Sequence, residues 1–401
     1  MDQQIERAIQ NNDHATLSSI FATISSPDKS WQSLSEGEKR TLAAHYVKTA
    51  LSPQLRDSYL PSALQSSSGP SVIKKALGHL PPSVDDALDN ALRHELFQHL
   101  VDKREYRDAA VILSQMRMEE YDQTSVYFMT PSERCDVYVK IAECYLMENE
   151  TVEADSAVTR AGNVVESISD PDKHLGLILR YRSTYARVLD ANRKFLQAAG
   201  RYYDLSVVGA QTDIIDENDL LIMLGKATTC AILAPSGAQR QRILALIYKD
   251  ANLSKLETIS QFSTHASVLT KMYKNQILLH DDDLLKFEKS LEEHQRALMS
   301  DGLNIFQRAL IEHNMVAISD IYASIKFMEL GRLLNLTPER AESVAAKMIV
   351  DGSLVNGSID QVDGLLYFQD GVSATDAWDH AITGFCVQLN GITDIVKHVD
   401  R

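Results

Sequence analysis

From about residue 84 to residue 300 the apolar positions recur every three to four residues, and prolines and polar clusters divide the run into segments of helical length. This periodicity predicts a chain of amphipathic helices with few strands. Three segments resemble one another: REYRDAA (104–110), ETVEADSA (150–157) and RKFLQAA (193–199). Each carries a bulky apolar residue, Tyr106, Val152 or Phe195, followed two or three positions later by Ala109, Ala154 or Ala198, where the second helix of a hairpin would begin; the intervals are 46 and 43 residues. A two-helix unit repeating at that period is the signature of an α-solenoid of the TPR or HEAT kind, in which alanines let helices approach and aromatics fill the space between layers. An irregular helical domain without true repeats is the alternative. Thr130-Pro131-Ser132-Glu133 predicts a capped helix start, and Asp170-Pro171-Asp172 predicts the next one. Upstream, residues 2–50 read as two or three short helices, and SALQSSSGPSV (62–72) reads as a mobile loop or hinge.

Near residue 315 the pattern changes. AISDIYASI (317–325) reads as helix, FMELGRLLNL (327–336) as a short amphipathic helix, and Thr337-Pro338 opens a third helix that Gly352 closes. Two apolar-rich runs follow, Ser353 to Ile359 and Leu365 to Phe368, joined by the polar turn from Asp360 to Gly364. Three helices and a hairpin predict a winged helix. Its third helix offers Arg340 and Lys347 against Glu339, Glu342 and Asp351, too few cations for phosphate and base edges, so protein docking is expected rather than DNA reading. At the end of the chain Trp378, Ile382, Phe385, Leu389, Ile392, Val396 and Val399 are spaced 4, 3, 4, 3, 4, 3, an a/d seam over three heptads. Such a helix wants partners, either its own solenoid or other chains. Gly384 and Gly391 weaken it in isolation and favour a bundle with other chains. The expected organisation is a helical segment with a serine-rich loop (1–80), a helical-repeat solenoid (81–300), a winged helix (301–371) and a heptad helix (372–401).

Charge and chemistry narrow the function. Forty basic against 55 acidic residues give a net charge of −15, which repels nucleic acid and anionic membrane unless basic residues cluster locally. The N-terminus lacks the basic and apolar blocks of a secretory signal, and the run Leu220 to Ala234 is too short and too interrupted to cross a bilayer, so a cytoplasmic and nuclear protein is expected. Four cysteines in 401 residues fit a reducing compartment. Cys135 and Cys144 lie nine residues apart on one predicted helix, on opposite faces and roughly 13 Å apart along the axis, too far for a disulfide. Cys144 joins Val137, Ile141 and Tyr145 in an apolar stripe and reads as a small core residue. His94 and His99 imitate a zinc-protease motif, but their five-residue spacing splays them by about 140°. Neither a His-x-His pair, a Cys-x-x-Cys, a Gly-x-Ser-x-Gly nor a phosphate-binding loop occurs, so no catalytic, metal or cofactor site is expected.

A helical array running into a winged helix, with the strings SVYFMTPSERCDVYVKIAECYL (125–146), RALIEHN (308–314), FMELGRLLNL (327–336) and GSIDQVDGLLYF (357–368), resembles the PCI-domain family. Its members build the proteasome lid, the COP-nine signalosome and a translation initiation factor. The likeness runs from about residue 84 to the end and leans to the signalosome branch. It implies a scaffold rather than an enzyme: the zinc isopeptidase that removes a ubiquitin-like modifier from cullins belongs to another subunit, which carries a His-x-His motif. The implied partners are other PCI and MPN-type subunits and cullin-RING ligases, the latter reached by the N-terminal solenoid as an arm. PCI subunits join through their winged helices and send their terminal helices into a common bundle. The interface candidates are therefore Ile325, Phe327, Leu354, Val355, Ile359, Asp360, Gln361 and Asp363 in the wing, and the seven seam residues in the tail. A proteasome-lid subunit is the nearest alternative, and a nucleic-acid-binding winged-helix protein is the alternative of another class.

Overall fold

The computed structural model describes residues 36–50, 64, 69–79, 86–116, 118, 129–212, 215–278, 282–299, 302–368, 378–379 and 381–390. It forms two compact units, residues 1–192 and 193–401. In the first, the described helices are α1 (Glu36–Ala50), α2 (Gly69–Gly78), α3 (Asp86–Asp102), α4 (Tyr106–Ser114), α5 (Pro131–Met147), α6 (Thr151–Val165) and α7 (Leu175–Ala191). Successive helices pack in turn, and α5 touches α4, α6 and α7, the stacking expected of paired helices in a solenoid. The fold is mainly α. Gly69 to Val72, taken from the sequence as loop, opens α2, with Pro70 in its first turn where a missing N–H costs nothing.

The repeat is real, and it is written in the turns. Arg104, Asn149 and Arg193 each adopt a left-handed conformation (φ +63°, +58° and +59°) two residues before a helix begins. At the first two, the next residue closes the preceding helix: Glu105 N–H donates to Leu100 O (2.9 Å) and Glu150 N–H to Tyr145 O (3.0 Å). Aligned on these turns, Ala109, Ala154 and Ala198 are equivalent and fully buried. Tyr106, Thr151 and Phe195 are then the matching helix starts, one position off the expected register at Val152, which is 75% exposed.

Thr130 caps α5 with a reciprocal box: Glu133 N–H donates to Thr130 Oγ1 (3.3 Å) and Thr130 N–H to Glu133 Oε2 (2.9 Å). The start expected at Asp170-Pro171 fails. Residues 171–174 are turn and α7 begins at Leu175, because residues 171–173 are exposed and nothing there buries an apolar face. Helix α5 is buried on two faces. Val137, Ile141 and Cys144 join the larger core with Tyr145 against it, whereas Cys135, Val139 and Ala161 form a second cluster.

The second unit opens with the hairpin of α8 (Phe195–Thr212) and α9 (Glu217–Leu233), followed by α10 (Ala238–Tyr248), α11 (His265–Tyr273) and α12 (Asp282–Ser290). The apolar run Leu220 to Ala234 becomes α9, with ten buried residues. Gly225 is where the ring of Phe262 packs: a Cβ there would lie 2.6 Å from Phe262 Cδ2. Among the described residues no helix is long and apolar enough to cross a membrane.

Candidate assembly interface

A winged helix closes the second unit: α13 (Ile305–Ser319), β1 (Ser324–Lys326), α14 (Phe327–Leu334), α15 (Pro338–Val350), β2 (Ser358–Asp360) and β3 (Leu365–Tyr367). The expected helix 317–325 ends at Ser319, and Ser324–Lys326 is a strand instead, because Ile325 pairs with Leu366 across an antiparallel ladder. Of the run from Ser353 to Ile359 only the last two residues enter a strand. The sheet order is β1-β3-β2, so β3 is central and β1 and β2 each keep an outer edge. Between α14 and α15 the chain turns at Asn335 (φ +54°), with Leu336 N–H donating to Gly331 O (2.8 Å); a Cβ on Gly331 would sit 2.7 Å from that same Leu336 carbonyl oxygen. Thr337 accepts from Arg340 N–H (3.4 Å) and starts α15.

What fastens α13 to the helices before it is a knot of buried polar groups in the string RALIEHN. Arg308 Nε donates to Glu312 Oε1 (2.9 Å), and Glu312 Oε2 accepts from Ser236 N–H (3.2 Å). His313 Nε2–H donates to Gln276 O (3.0 Å), and Asn314 clamps the backbone of Leu278 with two bonds of 2.8 Å. Behind them the buried Arg240 guanidinium donates to Ala231 O (3.2 Å), Ile232 O (3.1 Å) and Ser236 Oγ (3.2 Å). Burial pulls Arg240 down to about 10, with Glu312 acting the other way. Sequence patterning misses this knot, since Arg, Glu, His and Asn on a helix read as a solvated face; the backbone partners of Glu312, His313 and Asn314 lie between 36 and 76 residues away.

The wing candidates divide by burial. Ile325, Phe327 and Leu354 are buried in the module's own core with Leu330, Met348 and Leu366. Ile359 and Asp360 are half-buried on β2, and Val355, Gln361 and Asp363 are exposed. Asp360 Oδ1 accepts from Val362 N–H (2.9 Å) and Asp363 N–H (3.3 Å), a turn that holds Val362 out at 95% exposure. Gln361 Nε2 donates to Glu342 Oε1 (2.6 Å), tying the wing to α15.

In the tail, residues 381–390 are helical and every described residue of it is exposed, including Trp378, Ile382, Phe385 (63%) and Leu389. Ile392, Val396 and Val399 lie outside the described residues.

Elsewhere the chemistry is quiet. Burial, with help from Asp136 and Glu143 respectively, pushes the Cys135 and Cys144 thiols up to about 11, far from a reactive thiolate. His94 lies 3.4 Å from Lys140 Nζ, and desolvation and that cation hold it below its usual value. Among the described residues no group of three His, Cys, Asp or Glu side chains is placed to hold a metal ion.

A helical array closed by a three-helix, three-stranded winged helix defines a PCI-domain protein, and the family model for the PCI domain matches residues 286–370. A second model, described as PSMD12/CSN4, N-terminal, matches residues 88–217. The chain is 37% identical to COP9 signalosome complex subunit 4 of Arabidopsis thaliana over 64% of its own length and 62% of that protein's. It is 32% identical to the Dictyostelium discoideum subunit 4, with 76% of this chain and 72% of the relative covered, and 35% identical to that of Drosophila melanogaster, with 73% and 67% covered. The chain belongs to the COP9 signalosome subunit 4 family.

Proposed function

We propose that the chain is a non-catalytic scaffold of the COP9 signalosome, working in cytoplasm and nucleus, that assembles with other PCI and MPN-type subunits and supports deneddylation of cullin-RING ligases by a metal site in another subunit. The observation that carries the reading is the tail helix, whose apolar seam is exposed at Ile382, Phe385 and Leu389 in a chain of this family. Burying large apolar side chains is worth about 1.5–3 kcal/mol each, so these three, with the exposed Trp378, give the helix reason to enter a bundle. The outer edges of β1 and β2 support joining wing to wing, since unpaired backbone groups there can continue a sheet into a neighbour. The solenoid at the N-terminal side is the arm proposed to reach the ligase. In this reading the four segments 1–80, 81–300, 301–371 and 372–401 are arm tip, solenoid, docking wing and bundle helix.

The experiment is affinity purification of the full-length chain and of one ending before Trp378, with mass spectrometry and a cullin-deneddylation assay on each. The intact chain is expected to bring down PCI and metalloprotease subunits with activity, and the shortened one to lose them. Recovery of proteasome subunits by the intact chain would overturn the assignment.

A further inference from the structure

The furrow between α13 and α15 takes no part in the reading above. Arg308 and Glu312 of α13 line a concavity of about 450 Å³ on one side and another of about 460 Å³ on the other, and Met348 of α15 borders both. The first is walled by Phe195, Leu233, Met299 and Ile305. The second opens beside Ile311 and Val344 and is rimmed by Arg340 and Lys347. Each is large enough to engulf a bulky side chain with its backbone.

Its charge is out of character for the molecule. In a chain of net charge −15, the described residues that border this furrow include the cations Arg193 and Lys347, beside Arg308, which is paired with Glu312, and the carboxylate of Asp351. Glu312 is buried and already engaged by Arg308 and by Ser236 N–H. Arg193 and Lys347 are exposed, and among the described residues neither is held by an acidic side chain. Apolar walls beneath Arg193 and Lys347 focus a positive potential into the cleft.

We propose that this furrow docks an acidic peptide of a partner protein through one apolar anchor. The anchor enters between Phe195 and Met348, and flanking carboxylates meet Lys347 on one side and Arg193 on the other. Charge complementarity selects this occupant. A wholly apolar ligand would leave the cations unused, and a nucleic-acid strand would leave the apolar walls unfilled while meeting the repulsion of the remaining surface. The furrow is separate from the wing edges and the tail helix, so the proposal and the scaffold reading can fail independently.

The test is fluorescence anisotropy with the full-length chain and a labelled ten-residue peptide of Asp and Glu carrying one central Phe, beside the same peptide with Ser for Phe and a labelled single-stranded RNA. The Phe peptide is expected to bind with a dissociation constant on the order of 10 µM and to weaken about tenfold on loss of the Phe. Raising sodium chloride from about 0.1 to about 0.5 M should weaken it further, as screening demands. The variant K347E, at an exposed position, is expected to lose about tenfold, and R193E on the opposite rim to lose affinity separately, with circular dichroism reporting that each is folded. Equal binding of the two peptides would reduce the furrow to an anion site and overturn the proposal. So would tighter binding of RNA, competition by inorganic phosphate alone, or no binding of the Phe peptide by the native chain.

Discussion

His265 sits against Phe262 and Phe287, with ring centroids 5.0 and 4.6 Å away. Thr229 Oγ1 donates to Gly225 O (3.0 Å), so it accepts from His265 Nε2–H (3.0 Å), and Nδ1 is left as a buried acceptor with no partner. A proton there would bring a charge into aromatic surroundings, and burial holds His265 down at about 4. His313 is held at about 4 as well, first by burial and then by the neighbouring Arg240 cation. Both folded values lie below the ordinary 6.5, so the unfolded chain binds these protons first as pH falls. The stability they contribute is complete above pH 6.5 and is lost between about 6.5 and about 4, on the order of 3 kcal/mol for each. Urea midpoints at pH 7 and pH 5 should show a clear drop in the native chain and a smaller one in H313Q; an unchanged pH dependence in that variant would refute the assignment. None of this is legible from sequence, where a histidine one position from an asparagine and one from a glutamate reads as surface.

At the scale of elements, local chemistry was legible wherever a cap and an apolar stripe coincide. Thr130-Pro131 and Thr337-Pro338 start α5 and α15 as expected, because the same residues that cap also stand one turn before buried positions, Arg134 and Cys135 in one case and Ala341 in the other. Asp170-Pro171 has the cap residues without the stripe, and no helix forms until Leu175. Strand β1 was illegible for a different reason: its three residues, Ser-Ile-Lys, alternate exposed, buried, exposed, but so short a run carries no period of its own, and what makes Ile325 extended is Leu366, supplied from the far side of two helices. The box at α5 gives a direct test. T130A removes the acceptor of Glu133 N–H and should cost about 1 kcal/mol in chemical unfolding, whereas T130S should cost little. Equal losses in the two would assign the effect to packing of the threonine methyl instead.

For the whole molecule, the fold class, the helical repeat and the winged helix were readable, since periodicity over hundreds of residues averages out local exceptions. At the wing, apolar residue types do not by themselves say which side chains point inward; Ile325, Phe327 and Leu354 do, and Val355 does not. The tail gives the proposed assembly role a test apart from folding. Phe385 is exposed in the chain alone, so F385D should leave its thermal midpoint within about a degree or two while abolishing capture of partner subunits. A marked fall in that midpoint would mean the seam contributes to the chain's own stability.

The position of β3 at the centre of the sheet has a consequence for how the protein is made. Strand β1 leaves the ribosome first but pairs only with β3, which is encoded about forty residues later. At typical elongation rates of about 5–20 residues per second, the module spends about 2–8 seconds with Ile325 and Phe327 uncovered before its last strand arrives. The tail helix emerges only after that strand. Order of synthesis thus brings out the wing's last strand before the exposed helix of residues 381–390, so the module behind that helix can close first.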